Sequence, residues 1–272
     1  MYLAKVNFGK SRLRQDRWDI ENTAESHLVA LLRNGQLCGK YTFGWVRGSL
    51  NAYVYLSRPN ASDKRFSSEW GKDSLARVSE TFGRAPRWTV LEDEAPKRFP
   101  NWTSAPAFYL FTTWTIHNPP IRRMDNGSPI PTYMLPLSDS QKDDVYRWAR
   151  SYHNHDRIWT DSDVLEIPAY KQLVEPDSEL SLYGREICKV IEKATGVPTF
   201  YYLHRYWGRK GENKTRLCPS CGKKWRVKDN TEFPGSFLYL VFQCRKCRLV
   251  SHAACTDDDA RHARIGEYKR RK

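Results

Sequence analysis

The feature that most constrains this chain lies near its end, in two pairs of cysteines. They are Cys218-Pro219-Ser220-Cys221 and Cys244-Arg245-Lys246-Cys247, with 22 residues between Cys221 and Cys244. A Cys-x-x-Cys segment folds as a tight knuckle that turns two sulfurs towards one centre. Two knuckles therefore supply four thiolates, the tetrahedral set of a structural zinc ion, with Zn–S bonds of about 2.3 Å. The gap suits a loop and a strand that return the second knuckle to the first. Gly222 stands where a knuckle needs a positive φ, which glycine adopts without steric cost. The spacing predicts one structural Zn2+ held by Cys218, Cys221, Cys244 and Cys247. Such a site is closed, with no open coordination position, and so argues for scaffolding rather than metal catalysis.

Two other chemistries use paired cysteines. A redox Cys-x-x-Cys opens a helix inside a βαβ unit, and neither pair stands at such a point. A disulfide framework needs an oxidising compartment, and Met1-Tyr2-Leu3-Ala4-Lys5-Val6 lacks the basic-then-apolar order of a signal peptide. Of the seven cysteines, Cys38, Cys188 and Cys255 fall outside the quartet, an odd remainder that suits a reducing interior. Cys38 and Cys188 read as small core residues, and His252 and Cys255 as spare neighbours of the quartet. No run of about 18 apolar residues occurs, so no membrane span is expected. The expected localisation is cytoplasmic.

The 272 residues suffice for one large domain or two to three small ones. Residues 1–95 read as β-α-β-β-α-β. Met1–Phe8 alternates as a strand, and Thr23 caps a helix through Arg33, stopped by Asn34-Gly35. Tyr41–Val46 and Asn51–Leu56 flank a hairpin turn at Arg47-Gly48-Ser49. Ser68–Phe82 is a helix closed by Gly83, and Arg87–Leu91 a strand. That order is the split βαβ, or ferredoxin-like, arrangement. Residues 96–199 form a mixed αβ middle region. Residues 93–107 are the linker into it, and a strand follows at Phe108. A helix opens at Ser138 with Gln141 three residues on, a capping box, and frays near His153-Asn154-His155-Asp156. A further helix runs over Asp177–Ala194. Residues 200–272 form the zinc ribbon. Strands are expected at Phe200–Tyr206, at Ser236–Gln243 running into Cys244, and at Leu249–Ser251. Trp225 and Phe233 are expected as a small apolar lid, and a helix from Thr256 ends on a basic C-terminal tail. The fold class is thus α+β, with a ferredoxin-like unit, a mixed middle and a C-terminal zinc ribbon.

Charge is concentrated at the cysteine end. Residues 201–272 hold 18 Lys and Arg against 7 Asp and Glu, +11 of the chain's +14. Cations interleaved with Tyr201, Tyr202, Tyr206 and Trp207 suit nucleic acid, because cations release counterions from phosphates while rings stack on bases. Candidate phosphate contacts are Arg209, Lys210, Lys223, Lys224, Arg226, Lys228, Arg245, Lys246 and Arg248. Four thiolates on one Zn2+ leave a net −2, and that offsets two or three of these cations. The basic loop Gly208–Arg216 lacks the pattern of an NTP-binding loop and reads equally as a phosphate clamp or a solvated linker. His153, His155 and Asp156, with Asp161 and Asp163, match no ligand motif, and no nucleophile or cofactor motif appears. No catalytic residue is expected.

The runs Tyr202–Arg209, Arg216–Gly222 and Phe242–Ser251 together resemble a bacterial family of zinc-ribbon proteins of unassigned function, for which nucleic-acid binding has been suggested. The resemblance is carried by residues 180–255 and implies zinc ligation by the four cysteines. The reading is a non-enzymatic, cytoplasmic zinc-ribbon protein that binds nucleic acid, DNA or RNA, through a basic, aromatic C-terminal surface. The alternative is a protein-interaction module with an acidic partner, such as an immunity protein that neutralises a bacterial toxin.

Overall fold

Alternation in β1 (Tyr2–Gly9) buries Tyr2, Ala4, Val6 and Phe8 on one face of a sheet and leaves Leu3, Lys5 and Asn7 on the other. The computed structural model describes residues 1–13, 16–92, 101–211, 215–227 and 240–269. The chain packs as two units. The first takes in Met1–Pro100, Ile116–Pro119 and Pro131–Arg147, the second Asn101–Thr115, Pro120–Ile130 and Trp148–Lys272. Among the described residues no helix is long and apolar enough to cross a membrane.

In the first unit, β1 is followed by α1 (Arg17–Asn34), β2 (Leu37–Val46), β3 (Ser49–Leu56), α2 (Glu69–Phe82) and β4 (Arg87–Val90). The sheet order is β2-β3-β1-β4, antiparallel throughout. Both helices lie on one face, where Ile20, Ala24, Leu28 and Leu31 of α1 and Val78 and Phe82 of α2 meet the inward side chains of β1 and β3. The β2–β3 turn is a two-residue type: Arg47 and Gly48 both have positive φ, which matches the twist of the strands. Helix α1 starts six residues before the expected cap at Thr23. Asp16 caps it instead by accepting from the Asp19 N–H at 2.8 Å, and the Thr23 hydroxyl bonds back to the Asp19 carbonyl. Ser68 caps α2 and Gly83 closes it. His27 of α1 donates to Ser74 Oγ of α2 at 2.9 Å, since the Ser74 proton goes to the Gly71 carbonyl.

The second unit is organised on a six-stranded sheet of order β7-β6-β5-β8-β10-β9. Its strands are β5 (Phe108–Leu110), β6 (Ile121–Arg123), β7 (Pro129–Ile130), β8 (Thr199–Leu203), β9 (Phe242–Cys244) and β10 (Leu249–Ser251). Strand β8 runs parallel to both β5 and β10. One sheet therefore joins strands read as middle region to strands read as ribbon. Helix α3 (Asp139–Asp161) begins with the expected capping box, Ser138 and Gln141 bonding to each other's backbone N–H. It continues past His153–Asp156, where fraying was expected. The reason is that His153 bonds Thr112 Oγ1 at 2.6 Å and Asp156 accepts from the Trp114 N–H at 2.9 Å, tying the helix to the chain after β5. Helix α4 (Glu166–Val174) was not expected, because Pro168 and a short length hide it. Helix α5 (Glu179–Thr195) packs closely on β8: a Cβ at Gly184 would lie 2.2 Å from the Tyr201 ring.

Three ribbon expectations change. Strand β8 ends at Leu203 rather than at Tyr206. Among the described residues no α-helix follows Thr256. Thr256 bridges to Trp207, Asp259 accepts from the Arg261 and His262 N–H groups at the entry to a single turn at His262–Arg264, and the carbonyls of Ala263 and Ile265 accept from the buried Arg205 instead of from helix N–H groups. The strand expected over Ser236–Gln243 is described only at Phe242–Cys244. Residues 236–239, Phe233, Lys228, residues 212–214 of the basic loop, 93–100 of the linker and 270–272 lie outside the described residues.

Candidate metal centre

Each cysteine pair closes on its own backbone. In the first, the Gly222 N–H donates to the Cys218 carbonyl at 2.8 Å and the Cys218 N–H to the Lys223 carbonyl at 2.9 Å. Gly222 has φ +68°, and a Cβ there would sit 2.6 Å from the Tyr268 ring, so the position demands glycine twice over. In the second, β9 ends at Cys244 and β10 begins at Leu249, with Cys244 and Leu249 paired across the ladder. Arg248 follows Cys247 as Gly222 follows Cys221, and it takes the same left-handed conformation at φ 53°. Its guanidinium pairs with Glu192 at 2.6 Å and lies 5.3 Å from the Phe200 ring.

The four ligand atoms of Cys218, Cys221, Cys244 and Cys247 all lie within 4.8 Å of one another, and Cys221 and Cys244 Sγ are 3.7 Å apart. A tetrahedron with bonds of about 2.3 Å has edges of roughly 3.8 Å, so the donor set fits a metal ion. Burial pushes the Cys218 thiol up. Burial also works against the Cys221 thiolate, but the Lys223 N–H and the neighbouring thiols outweigh it and bring that group to about 7. Among the described residues these four cysteines are the one set of metal-ligand side chains drawn together.

Beside the knuckles, Trp225 stacks on Phe242 at 5.1 Å, and the buried Arg216 guanidinium lies 5.0 and 5.1 Å from the two rings. Trp225 thus has Phe242 as its described partner in the lid. Arg205, fully buried, donates to the carbonyls of Ala263 and Ile265 at 2.6 Å each and holds the C-terminal segment down. Neither arginine was singled out from the sequence. The signal for Arg205 was its place inside the aromatic run Phe200–Trp207.

Lys210, Lys223, Lys224, Arg226, Arg245 and Lys246 are exposed. Arg209 is exposed but paired with Glu267 at 2.6 Å, and Arg248 is half-buried in its pair with Glu192. Of the rings expected to stack on bases, Tyr201 and Tyr202 are fully buried in β8 and have no face to offer. Tyr206 is exposed and Trp207 half-buried. His252 is buried against Tyr202, whose hydroxyl is 2.9 Å from Nδ1, and Cys255 Sγ lies 3.7 Å from Nε2. Neither joins the quartet. Cys38 and Cys188 are buried. His155 bonds the Ser151 carbonyl and Asp161 faces Arg157, so the polar residues of α3 serve the helix and its neighbours.

Three successive stretches match family models, each described as a domain of unknown function: residues 1–92 (DUF8589), 103–204 (DUF2310) and 208–257 (DUF8594). Two proteins of Haemophilus influenzae (strain ATCC 51907 / DSM 11121 / KW20 / Rd), both named only as uncharacterized, align over 145 residues, 53% of this chain. One is 37% identical with 69% of its length covered; the other is 36% identical, and the chain spans just over half of it, 54%. A solved structure titled "Structure of Rv0793 from Mycobacterium tuberculosis" overlaps 35% of this chain and 97% of its own at 20% identity and a TM-score of 0.25.

Proposed function

We propose, for a chain that belongs to one family with the uncharacterized Haemophilus influenzae protein it matches over most of that protein's length, a zinc-ribbon protein that binds nucleic acid. Cys218, Cys221, Cys244 and Cys247 hold the ion. Zn2+ there supplies a rigid cross-link between the knuckles and, with four thiolates, a net charge of −2. What carries the reading is the exposure of Lys223, Lys224, Arg226, Arg245 and Lys246 on the two knuckles, none with a carboxylate partner among the described residues. Five cations on so short a stretch exceed what a −2 centre offsets, and phosphates are the natural counter-charge. Lys210 and the paired Arg209 and Arg248 add to these cations. The first unit reads as ferredoxin-like, supported by its β-α-β-β-α-β order and its β2-β3-β1-β4 sheet. We place the protein in the cytoplasm and assign it no catalysis.

The test is fluorescence anisotropy with a labelled mixed-sequence 30-base-pair duplex and its single strand, titrated across salt. Affinity falls linearly on a log–log plot, with a slope of about −0.7 to −0.9 per phosphate contact, and Lys223→Ala with Lys224→Ala reduces that slope. A flat salt response overturns the reading. So does a defined protein co-purifying at fixed stoichiometry with no nucleic acid, which would favour the acidic-partner alternative.

A further inference from the structure

The open face of the first unit's sheet carries a pattern that its helix-covered face does not explain. Tyr53 and Tyr55 of β3 point away from the core and are 44% and 38% exposed. Across the ladders, Thr42, Tyr53, Lys5 and Thr89 form one row, Tyr55 faces Leu3, and Asn51, Asn7 and Arg87 form the next. Lys40 is exposed in the bulge of β2 between Cys38 and Thr42, and Arg87 is exposed on β4. The four strands contain no Asp or Glu. A described carboxylate at the border, Glu92, accepts from the Leu3 N–H at 2.8 Å.

We propose that this face is a stacking platform for the unpaired bases of a single-stranded nucleic acid, with Tyr53 and Tyr55 under successive bases and Lys5, Lys40 and Arg87 on the phosphates. Tyr53 and Tyr55 are two residues apart, roughly 7 Å along a strand, which allows one nucleotide of an extended strand per ring. Exposed aromatic rings on the middle strands of a four-stranded antiparallel sheet are how RNA-recognition modules hold bases, and stacking on a ring tolerates any base. The charge is right for a phosphate chain: all three charged side chains on the strands are cations. A second copy of this chain packed sheet to sheet would instead gather Lys5, Lys40 and Arg87 of both copies in one desolvated interface, with no carboxylate on either set of strands to pair them. The inference stands apart from the cysteine site, since none of these residues lies in the second unit.

The experiment uses the full chain and two probes, a 12-mer oligo(U) with 4-thiouridine and a 12-mer oligo(dT) with 4-thiothymidine, cross-linked by light and mapped by mass spectrometry. Adducts are expected on Tyr53 or Tyr55, with whichever probe binds more tightly distinguishing ribose from deoxyribose. In anisotropy, Tyr53→Ala with Tyr55→Ala weakens the better probe about tenfold or more, while Tyr53→Phe with Tyr55→Phe keeps the ring and stays within about twofold. Lys223→Ala with Lys224→Ala leaves the adducts on these tyrosines in place. Adducts confined to the second unit overturn the proposal, as does unchanged affinity of the alanine pair. A wild-type dimer that the alanine pair converts to monomer, with no oligonucleotide adduct, assigns the face to a second copy and overturns it equally.

Discussion

The two sheets of this molecule are built from opposite materials. In the first unit, β1 and β3 bury Ala4, Val6, Phe8, Leu50, Val54 and Leu56 beneath two amphipathic helices, an apolar layer with neutral polar pairs such as His27–Ser74 beside it. In the second, the cysteine end buries Tyr201, Tyr202, Arg205, Arg216, Ser251 and His252. An apolar core needs only volume and pattern. A core of rings, guanidinium groups and thiols is stable only when each polar atom has its partner. The comparison implies that the first unit carries its own stability, whereas the cysteine end would depend on a metal ion held by its four thiolates.

The strongest way to break that contrast is to remove the ion or one ligand. Metal binding is worth on the order of 10 kcal/mol of folding free energy in zinc-ribbon-sized peptides, so Cys244→Ser or a chelator should expose the amides of residues 216–227 and 240–269. Those of β1 and β3 should keep their protection. Hydrogen exchange read by mass spectrometry resolves both regions in one sample. Equal loss in both units, or none in the ribbon, would sink the contrast.

Acid sharpens it with a smaller effect. Burial pushes His27 of the first unit down to about 4, and does the same to His204 of the second. It also drives His252 well below its ordinary value, helped by the charges of His204, Arg216 and Arg205. A histidine whose folded pKa lies below its unfolded value leaves the unfolded chain binding more protons, so stability is full above about pH 6.5 and falls as pH drops towards about 4. His27 and His204 each remove roughly 3 kcal/mol over that window. Asp156, raised by burial, works the other way and offsets part of the loss in the second unit. His117 of the first unit is lowered too, by partial burial and the charge of Lys40, but the large shifts are those of His204 and His252 against His27, so the second unit should open at higher pH, as hydrogen exchange of β8 against α1 would reveal. His204 Nε2 is buried without a hydrogen-bond partner among the described residues, so His204→Phe should bring the second unit's acid transition closer to the first's. If β8 and α1 open together, the histidines do not set the difference.

The same contrast explains which features could be read from the sequence. Period-two and helical patterns follow from apolar burial, so the strands and helices of the first unit stand close to their expected bounds. The exceptions are the start of α1, where Asp16 lies outside the apolar repeat, and the start of β2, which begins at Leu37 rather than at Tyr41. The cysteine quartet was legible because ligand spacing is a local property. What was hidden is what depends on distant partners. Arg205 turns the expected helix after Thr256 into a strap, and Tyr201 and Tyr202 look like exposed stacking rings until β5, α5 and β10 cover them. A single sheet spanning 108–251 leaves no mark on any local window.

The smallest test lies in the knuckles themselves, where glycine and arginine occupy matching positions. A left-handed conformation costs a non-glycine residue about 1–2 kcal/mol. Gly222→Ala adds that cost together with a Cβ 2.6 Å from the Tyr268 ring, which is partly exposed and free to shift. A loss of about 1–2 kcal/mol is expected. At the other knuckle, Arg248→Gly removes the same strain but also loses the half-exposed pair with Glu192, worth about 0.2–1 kcal/mol. It further loses the cation–π contact with Phe200, worth about 0.5–1 kcal/mol, so the balance falls near zero. Urea titrations followed through exchange of the β10 amides would separate the two variants. Should Arg248→Gly cost as much as Gly222→Ala, then Arg248 is held by its partners more strongly than its strained backbone resists. The ion pair with Glu192, rather than turn geometry, would then anchor the second knuckle to α5.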